Sequence, residues 1–153
     1  DPLARCIVTM DSDGSHDARY LPEMLKRTDA SDMVIGSRYI KGGGVEGLEF
    51  WRRLLSRFAN LYARFITGHP SRDLTSGFMA IRAEKLRELD LSSIDLSGYA
   101  FLIGLKYIFF RSGFSFFEVP IVFKEREEGI SKMSGSIIGE GVLAPWKMRF
   151  RKF

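Results

Sequence analysis

Nothing narrows the folds open to this chain more than the apolar run Cys6–Met10 and the way it ends, on Asp11-Ser12-Asp13. Residues 5–10 read as a short buried strand. Two carboxylates at the C-terminal end of such a strand stand where open α/β sheets gather their ligands. Asp17 reads as the N-cap of a helix over 18–27, with Pro22 early enough to be tolerated. Met33–Ser37 is a second short strand, with Arg38 just past its end, and Gly42-Gly43-Gly44 marks a flexible loop. Phe50, Leu54, Phe58, Leu61 and Phe65 recur at helical spacing and predict an amphipathic helix over 49–66. A strand over 76–82, helices over 83–88 and 98–111, a strand over 114–123, a charged loop over 124–134 and a helical tail over 135–153 complete the pattern. A strand–helix–strand opening followed by mixed elements predicts an α/β fold with a partly parallel sheet. A buried parallel strand rarely opens a domain, so strands of the same sheet are expected upstream of residue 1.

The 153 residues suit one compact domain, and 45% apolar residues are enough to build its core. The most apolar stretch, Tyr99–Phe117, is interrupted by Lys106, Arg111 and Gly113, which favours a buried helix and strand over a membrane span. The net charge of +4 is concentrated in Arg52–Arg57 and Lys147–Lys152, clusters that favour anionic partners. A single cysteine, Cys6, excludes an internal disulfide and fits a reducing compartment. No nucleic-acid-binding motif accompanies the basic residues, so nucleic acid is not an expected partner.

Several groups of residues have the chemistry of a phosphate site. Asp11 and Asp13 suit a hard divalent cation, Mg²⁺ or Mn²⁺, whose shell substrate phosphates would complete; the same spacing also makes a turn in which Asp11 caps and Asp13 is solvated. Arg38, on the same sheet edge, can hold a phosphate through two parallel hydrogen bonds or form an ordinary ion pair. Arg52 and Ser56 lie four residues apart and share a helix face, as do Arg53 and Arg57; a gripped phosphate and a solvated basic stripe both fit. Arg126, Gly129, Ser131 and Lys132 make a cationic loop able to close over a diphosphate, or a charged turn. Asp73, before Leu74-Thr75-Ser76-Gly77-Phe78, suits an orienting group, a base or a turn cap. His16 reads as a turn residue.

Taken in order, Met10-Asp11-Ser12-Asp13-Gly14-Ser15-His16, Gly36-Ser37-Arg38-Tyr39, Arg52-Arg53-Leu54-Leu55-Ser56-Arg57, Asp73-Leu74-Thr75-Ser76-Gly77-Phe78, Glu118-Val119-Pro120-Ile121 and Arg126-Glu127-Glu128-Gly129-Ile130-Ser131-Lys132 resemble the polyprenol-phosphate (dolichol-phosphate) mannosyltransferases over nearly the whole chain. The resemblance implies a GT-A fold, Rossmann-like with a mixed, mostly parallel sheet and lacking its first strands. Residues 1–134 would be the carboxy-terminal two thirds of that domain, and 135–153 an amphipathic basic-aromatic tail. It implies inverting transfer of a sugar from a nucleotide-sugar, commonly GDP-mannose, to a polyprenyl phosphate at the cytoplasmic face of a membrane.

Carried over by motif, Asp11 and Asp13 would hold the metal, Arg38, Arg52 and Ser56 the acceptor phosphate, and Arg126 and Lys132 the donor diphosphate. Asp73 would orient, since an acceptor phosphate is already an anionic nucleophile. The chain departs from the family pattern at 102–105, which carry no acidic residue after Gly98-Tyr99. The family's amino-terminal third, with its nucleoside contacts, is missing, so the fragment alone is expected to be inactive. Two other readings compete: a UDP-sugar-dependent undecaprenyl-phosphate glycosyltransferase, and a non-catalytic module that binds anions at a membrane surface.

Overall fold

The computed structural model describes residues 3–91, 98–125 and 135–150. In chain order these form β1 (Cys6–Thr9), α1 (Leu21–Arg27), β2 (Met33–Ser37), β3 (Gly44–Glu46), α2 (Phe50–Thr67), β4 (Met79–Arg82), α3 (Ala83–Arg87), α4 (Gly98–Arg111), β5 (Phe116–Pro120), β6 (Val122–Lys124) and α5 (Gly135–Phe150). The main sheet has the order β1-β4-β2-β5. β4 is antiparallel to both β1 and β2, while β2 and β5 are parallel, so β1, β2 and β5 share one direction. This is the mixed, mostly parallel sheet expected. β3 and β6 pair in parallel as a separate two-stranded sheet.

Strand alternation divides the core between two layers of helix. On β2 and β4, Val34 and Ala80 face α1, where they pack with Met24, Phe78, Val119 and Ile121. Their neighbours Met33, Ile35, Met79 and Ile81 face α4 and pack with Leu105 and Phe109. A third cluster joins α2, α4 and α5 through Ala63, Ile103, Tyr107, Ala144 and Met148. The tail helix is therefore packed on the body, with Ala144 and Met148 buried.

Three local readings need correction. β1 is not a buried strand: Ile7, Val8 and Met10 are exposed, because β1 pairs only with β4 and no described strand covers its outer edge. The expected strand 114–123 is two strands in two sheets. Ile121 separates them; its N–H donates to Ser37 O and its side chain enters the core, which turns the chain from β5 into β6. The glycine run is not simply a flexible loop. Gly42 has φ +90°, a Cβ on Gly43 would lie 2.5 Å from Ser37 O, and Gly44 opens β3.

Among the described residues no helix is long and apolar enough to cross a membrane. The apolar stripe of α2, however, faces outward: Phe50, Trp51, Leu54, Phe58, Leu61 and Phe65 are all exposed, Phe65 at 88%. The helix reaches the core through its other face, with Ala63 and Ile66 buried, and ends on Gly68 in the left-handed conformation.

Candidate active site

The turn after β1 is built around His16. Its imidazole is buried, stacks on Phe78 at 5.0 Å and meets the edge of Phe123 at 5.4 Å. Nδ1 accepts the Asp11 N–H at 2.9 Å, so this nitrogen carries no proton. Burial lowers the His16 pKa, with the Asp11 carboxylate opposing. The 3.6 Å approach of Asp11 Oδ2 is thus to a neutral ring and not an ion pair. His16 is the turn residue expected, a staple that fixes the carboxylates on either side of Ser12. Asp13 Oδ1 accepts both the N–H and the hydroxyl of Ser15, at 3.1 and 2.5 Å. Asp11 stands half exposed over Gly77, where a Cβ would lie 3.6 Å from Oδ1.

This donor set fits the expected cation. Both carboxylates are hard, solvent-accessible oxygen donors held in place by the turn. Among the described residues no group of three or more His, Cys, Asp or Glu could hold a metal by itself. Two carboxylates with substrate phosphates completing the shell is how Mg²⁺ is usually bound.

Beyond Phe123 lies Arg38, its Cζ 5.5 Å from that ring. Its guanidinium is turned inward: Nε and Nη2 each donate to Asp73 at 2.8 Å, and Nη2 also donates to Thr75 Oγ1. The Arg38 backbone N–H adds a third bond to Asp73. Asp73 is fully buried, and its carboxyl is held below the usual range: burial opposes ionisation, but these contacts with Arg38 outweigh it. The two-pronged grip expected for a phosphate is made here on Asp73, which therefore orients Arg38.

Arg52 and Ser56 share a face of α2 but take different partners. Arg52 lies between Glu49, at 3.1 Å, and Glu125, at 3.3 Å. Ser56 Oγ accepts the Tyr39 hydroxyl at 2.7 Å. Arg53 and Arg57 also part: Arg57 approaches the Tyr39 ring at 5.8 Å and lines a cleft that Arg53 does not. Arg126, Gly129, Ser131 and Lys132 lie outside the described residues. Glu125, the described residue before them, is joined to Arg52.

The sequence reading missed the groups that brace the 73–78 loop. Asn60 accepts the N–H groups of Leu74 and Thr75 and donates to Ser56 O and Thr75 Oγ1. Glu118 accepts the N–H groups of Arg72 and Asp73. Lys106 is fully buried and donates to Leu74 O at 3.0 Å and Ser76 O at 2.7 Å. Burial pushes its pKa down to about 7, with Asp73 opposing. A lone lysine inside an otherwise apolar helix was the available signal, since buried lysines require partners. The reading also missed Arg64 and Arg72, which join Arg38 and Arg57 around a cleft of about 280 Å³.

The model of the family described as "Glycosyl transferase family 2" matches residues 3–90. The chain is 47% identical over 148 residues, 95% of its length, to the "Polyprenol monophosphomannose synthase" of Mycolicibacterium smegmatis. It is 42% identical over 137 residues, 90% of its length, to the "Undecaprenyl-phosphate mannosyltransferase" of Micrococcus luteus. Each alignment covers 56% of the relative, so the chain spans little more than half the length of these proteins. The mixed α/β sheet is consistent with a GT-A fold. With the carboxylate turn and the Arg38–Asp73 fork both inside the matched stretch, this chain belongs to glycosyl transferase family 2.

Proposed function

We propose that this chain supplies the metal, acceptor and diphosphate side of an enzyme that transfers mannose from GDP-mannose to a polyprenyl phosphate. The observation that carries the reading is the likeness, over 90–95% of the chain, to two proteins named for mannosyl transfer to such lipids. The geometry supports it, because Phe123 contacts both His16, within the Asp11/Asp13 turn, and Arg38, within the Asp73 fork.

In this reading Asp11 and Asp13 would hold Mg²⁺ or Mn²⁺, which when bound would supply positive charge for the departing nucleoside diphosphate. The turn around His16 keeps both carboxylates aimed at that diphosphate. An acceptor phosphate oxygen, already anionic, attacks the anomeric carbon. The carbon–oxygen bond to the diphosphate breaks, and its electron pair leaves with the nucleotide, so the configuration inverts and no base is needed. Arg52 and Ser56 receive the acceptor phosphate, which competes with Glu49 and Glu125 for Arg52. Arg38 contributes positive charge from the Asp73 fork, and the motif resemblance gives the donor diphosphate to Arg126 and Lys132.

The exposed stripe of α2, with Trp146 and Phe150 of α5 also exposed, supports a place for this site at a membrane surface. Aromatic and aliphatic side chains bordered by arginines are the composition of an interfacial helix. The test is product analysis with the full-length protein, polyprenyl phosphate, Mn²⁺ and a panel of labelled nucleotide-sugars. Mannosyl lipid from GDP-mannose is expected. Transfer from a UDP-sugar alone would replace the donor, and no lipid product from any sugar would reject the reading.

A further inference from the structure

A second cluster of arginines lies beside the residues assigned to the acceptor, joined to them through the Tyr39–Ser56 hydrogen bond. The cleft between α2 and the loops around residues 38–43 and 72 is lined by Arg38, Arg57, Arg64 and Arg72, with Asn60 and Leu61 among its walls. Of the residues assigned to the metal and the acceptor phosphate, Arg38 lines it, from its fork with Asp73, while Asp11, Asp13, Arg52 and Ser56 do not.

Its charges are unusually poorly balanced. Among the described residues no carboxylate lies within ion-pair distance of Arg57, Arg64 or Arg72. The two nearby carboxylates are engaged elsewhere: Asp73 with Arg38, and Glu118 with the backbone N–H groups of Arg72 and Asp73. Arg64 reaches only Pro70 O, at 3.5 Å, and its Nε is buried with no hydrogen-bond partner. The Tyr39 ring takes Arg38 and Arg57, at 5.2 and 5.8 Å. Arg57, Arg64 and Arg72, three like charges with no ion pair among the described residues, repel one another around this small space, while Arg38 is balanced by Asp73; an anion among the three converts that repulsion into attraction. The walls are rigid before anything binds, because Asn60 ties α2 to the 74–75 backbone.

Size and surroundings narrow the class of anion. At about 280 Å³ the cleft lies at or below the lower end of the roughly 300–1,000 Å³ typical of pockets for whole small molecules. It suits a headgroup better than a nucleotide-sugar. Guanidinium groups arriving from several directions match the oxygens of a phosphate. Leu61 belongs to the exposed stripe of α2, and Phe58 and Phe65 flank it. Arg57 and Arg64 run along the edge of the same stripe, so a phosphate at the membrane surface meets the cleft with its acyl chains beside the apolar side chains.

We propose that this cleft binds the phosphate of an anionic lipid headgroup, separately from the acceptor phosphate. The proposal rests on α2 being the membrane-facing helix; it does not depend on the transfer reaction.

The test is vesicle flotation of the full-length protein with no donor present. One set of vesicles carries phosphatidylglycerol in phosphatidylcholine, and a second carries oleate at equal surface charge. Arg64→Gln is compared with Arg53→Gln, a matched change on the same helix: Arg53 also has a buried, unpartnered Nε but lies outside the cleft. The wild type should prefer the phosphate-bearing vesicles by about ten-fold, the scale of one charge-assisted contact. Arg64→Gln and Arg57→Gln should lose that preference while still floating. Arg53→Gln should weaken binding to both vesicles in parallel and keep the preference.

Equal binding of the wild type to both anionic vesicles, or loss of the preference in Arg53→Gln as well, would overturn the proposal. A wild type that floats with no vesicle would refute the membrane-facing role of α2, a separate failure. Titration of soluble glycerol phosphate, followed by NMR of the arginine Nε–H signals, separates the sources. Arg64-dependent binding without vesicle preference would place a free phosphate ester in the cleft.

Discussion

His69 shows how a single buried side chain couples this fold to pH. It packs between Phe110 and Phe116, and its Nδ1 accepts the Ser71 N–H. Burial, with Lys106 and Arg64 nearby, pushes its pKa down from 6.5 to about 4. Between those two values the unfolded chain binds a proton at this residue that the folded chain refuses, so stability rises with pH across the window and is lost as pH falls. The full shift corresponds to about 3 kcal/mol at the acid end. Urea unfolding of the wild type should therefore lose stability steeply from pH 6.5 to 4.5. His69→Phe should be less stable at pH 7, where the Ser71 N–H loses its acceptor, but its stability should fall less with acid. An unchanged slope would remove His69 as a cause. Lys106 acts in the same direction at higher pH, since its folded pKa of about 7 lies below the ordinary 10.5. The motif residues of the site were legible because their types and order are distinctive. The bracing roles of Asn60 and Lys106 were not, because a residue that braces a loop leaves no pattern beyond one polar group in apolar surroundings; Glu118 was legible as a motif residue but not as a brace.

Among the elements, α2 separates what periodicity reveals from what it leaves open. The repeat of Phe50, Leu54, Phe58, Leu61 and Phe65 located the helix to within a residue at each end. Periodicity defines a face, but not what covers it, and here the apolar face is in solvent while the other side packs against α5 and α4. Strand β1 carries the same ambiguity: an apolar run reads as buried wherever it lies in the sheet, yet this one lies at an edge. The β5–β6 break at Ile121 was hidden because both halves favour extended backbone. Phe58→Ser and Phe65→Ser should each lower binding of the full-length protein to vesicles by about ten-fold, from the roughly 1.5–3 kcal/mol of a buried Phe. Thermal stability should hardly change, as for most exposed positions. A large fall in melting temperature with unchanged vesicle binding would show instead that the stripe packs within the protein.

Over the whole molecule, one three-layered body carries two differently charged regions. Phe123, which contacts both His16 and Arg38, joins the acidic turn after β1 to the arginines of α2 and its neighbouring loops; the proposed function gives the first to a metal-bound diphosphate and the second to an acceptor phosphate. Fold class and the order of nearly all elements were legible, since short apolar strands alternate with amphipathic helices. The small β3–β6 sheet was not, because three-residue strands in a glycine-rich segment carry too little pattern. The central claim is that transfer runs through the carboxylate turn of this chain. Turnover of the full-length protein against Mn²⁺ concentration, compared with Asp13→Asn, tests it most directly. The account predicts metal-dependent turnover in the wild type and a loss in Asp13→Asn worth several kcal/mol of transition-state stabilisation. Undiminished transfer by Asp13→Asn, or full activity of the wild type without divalent metal, would contradict it.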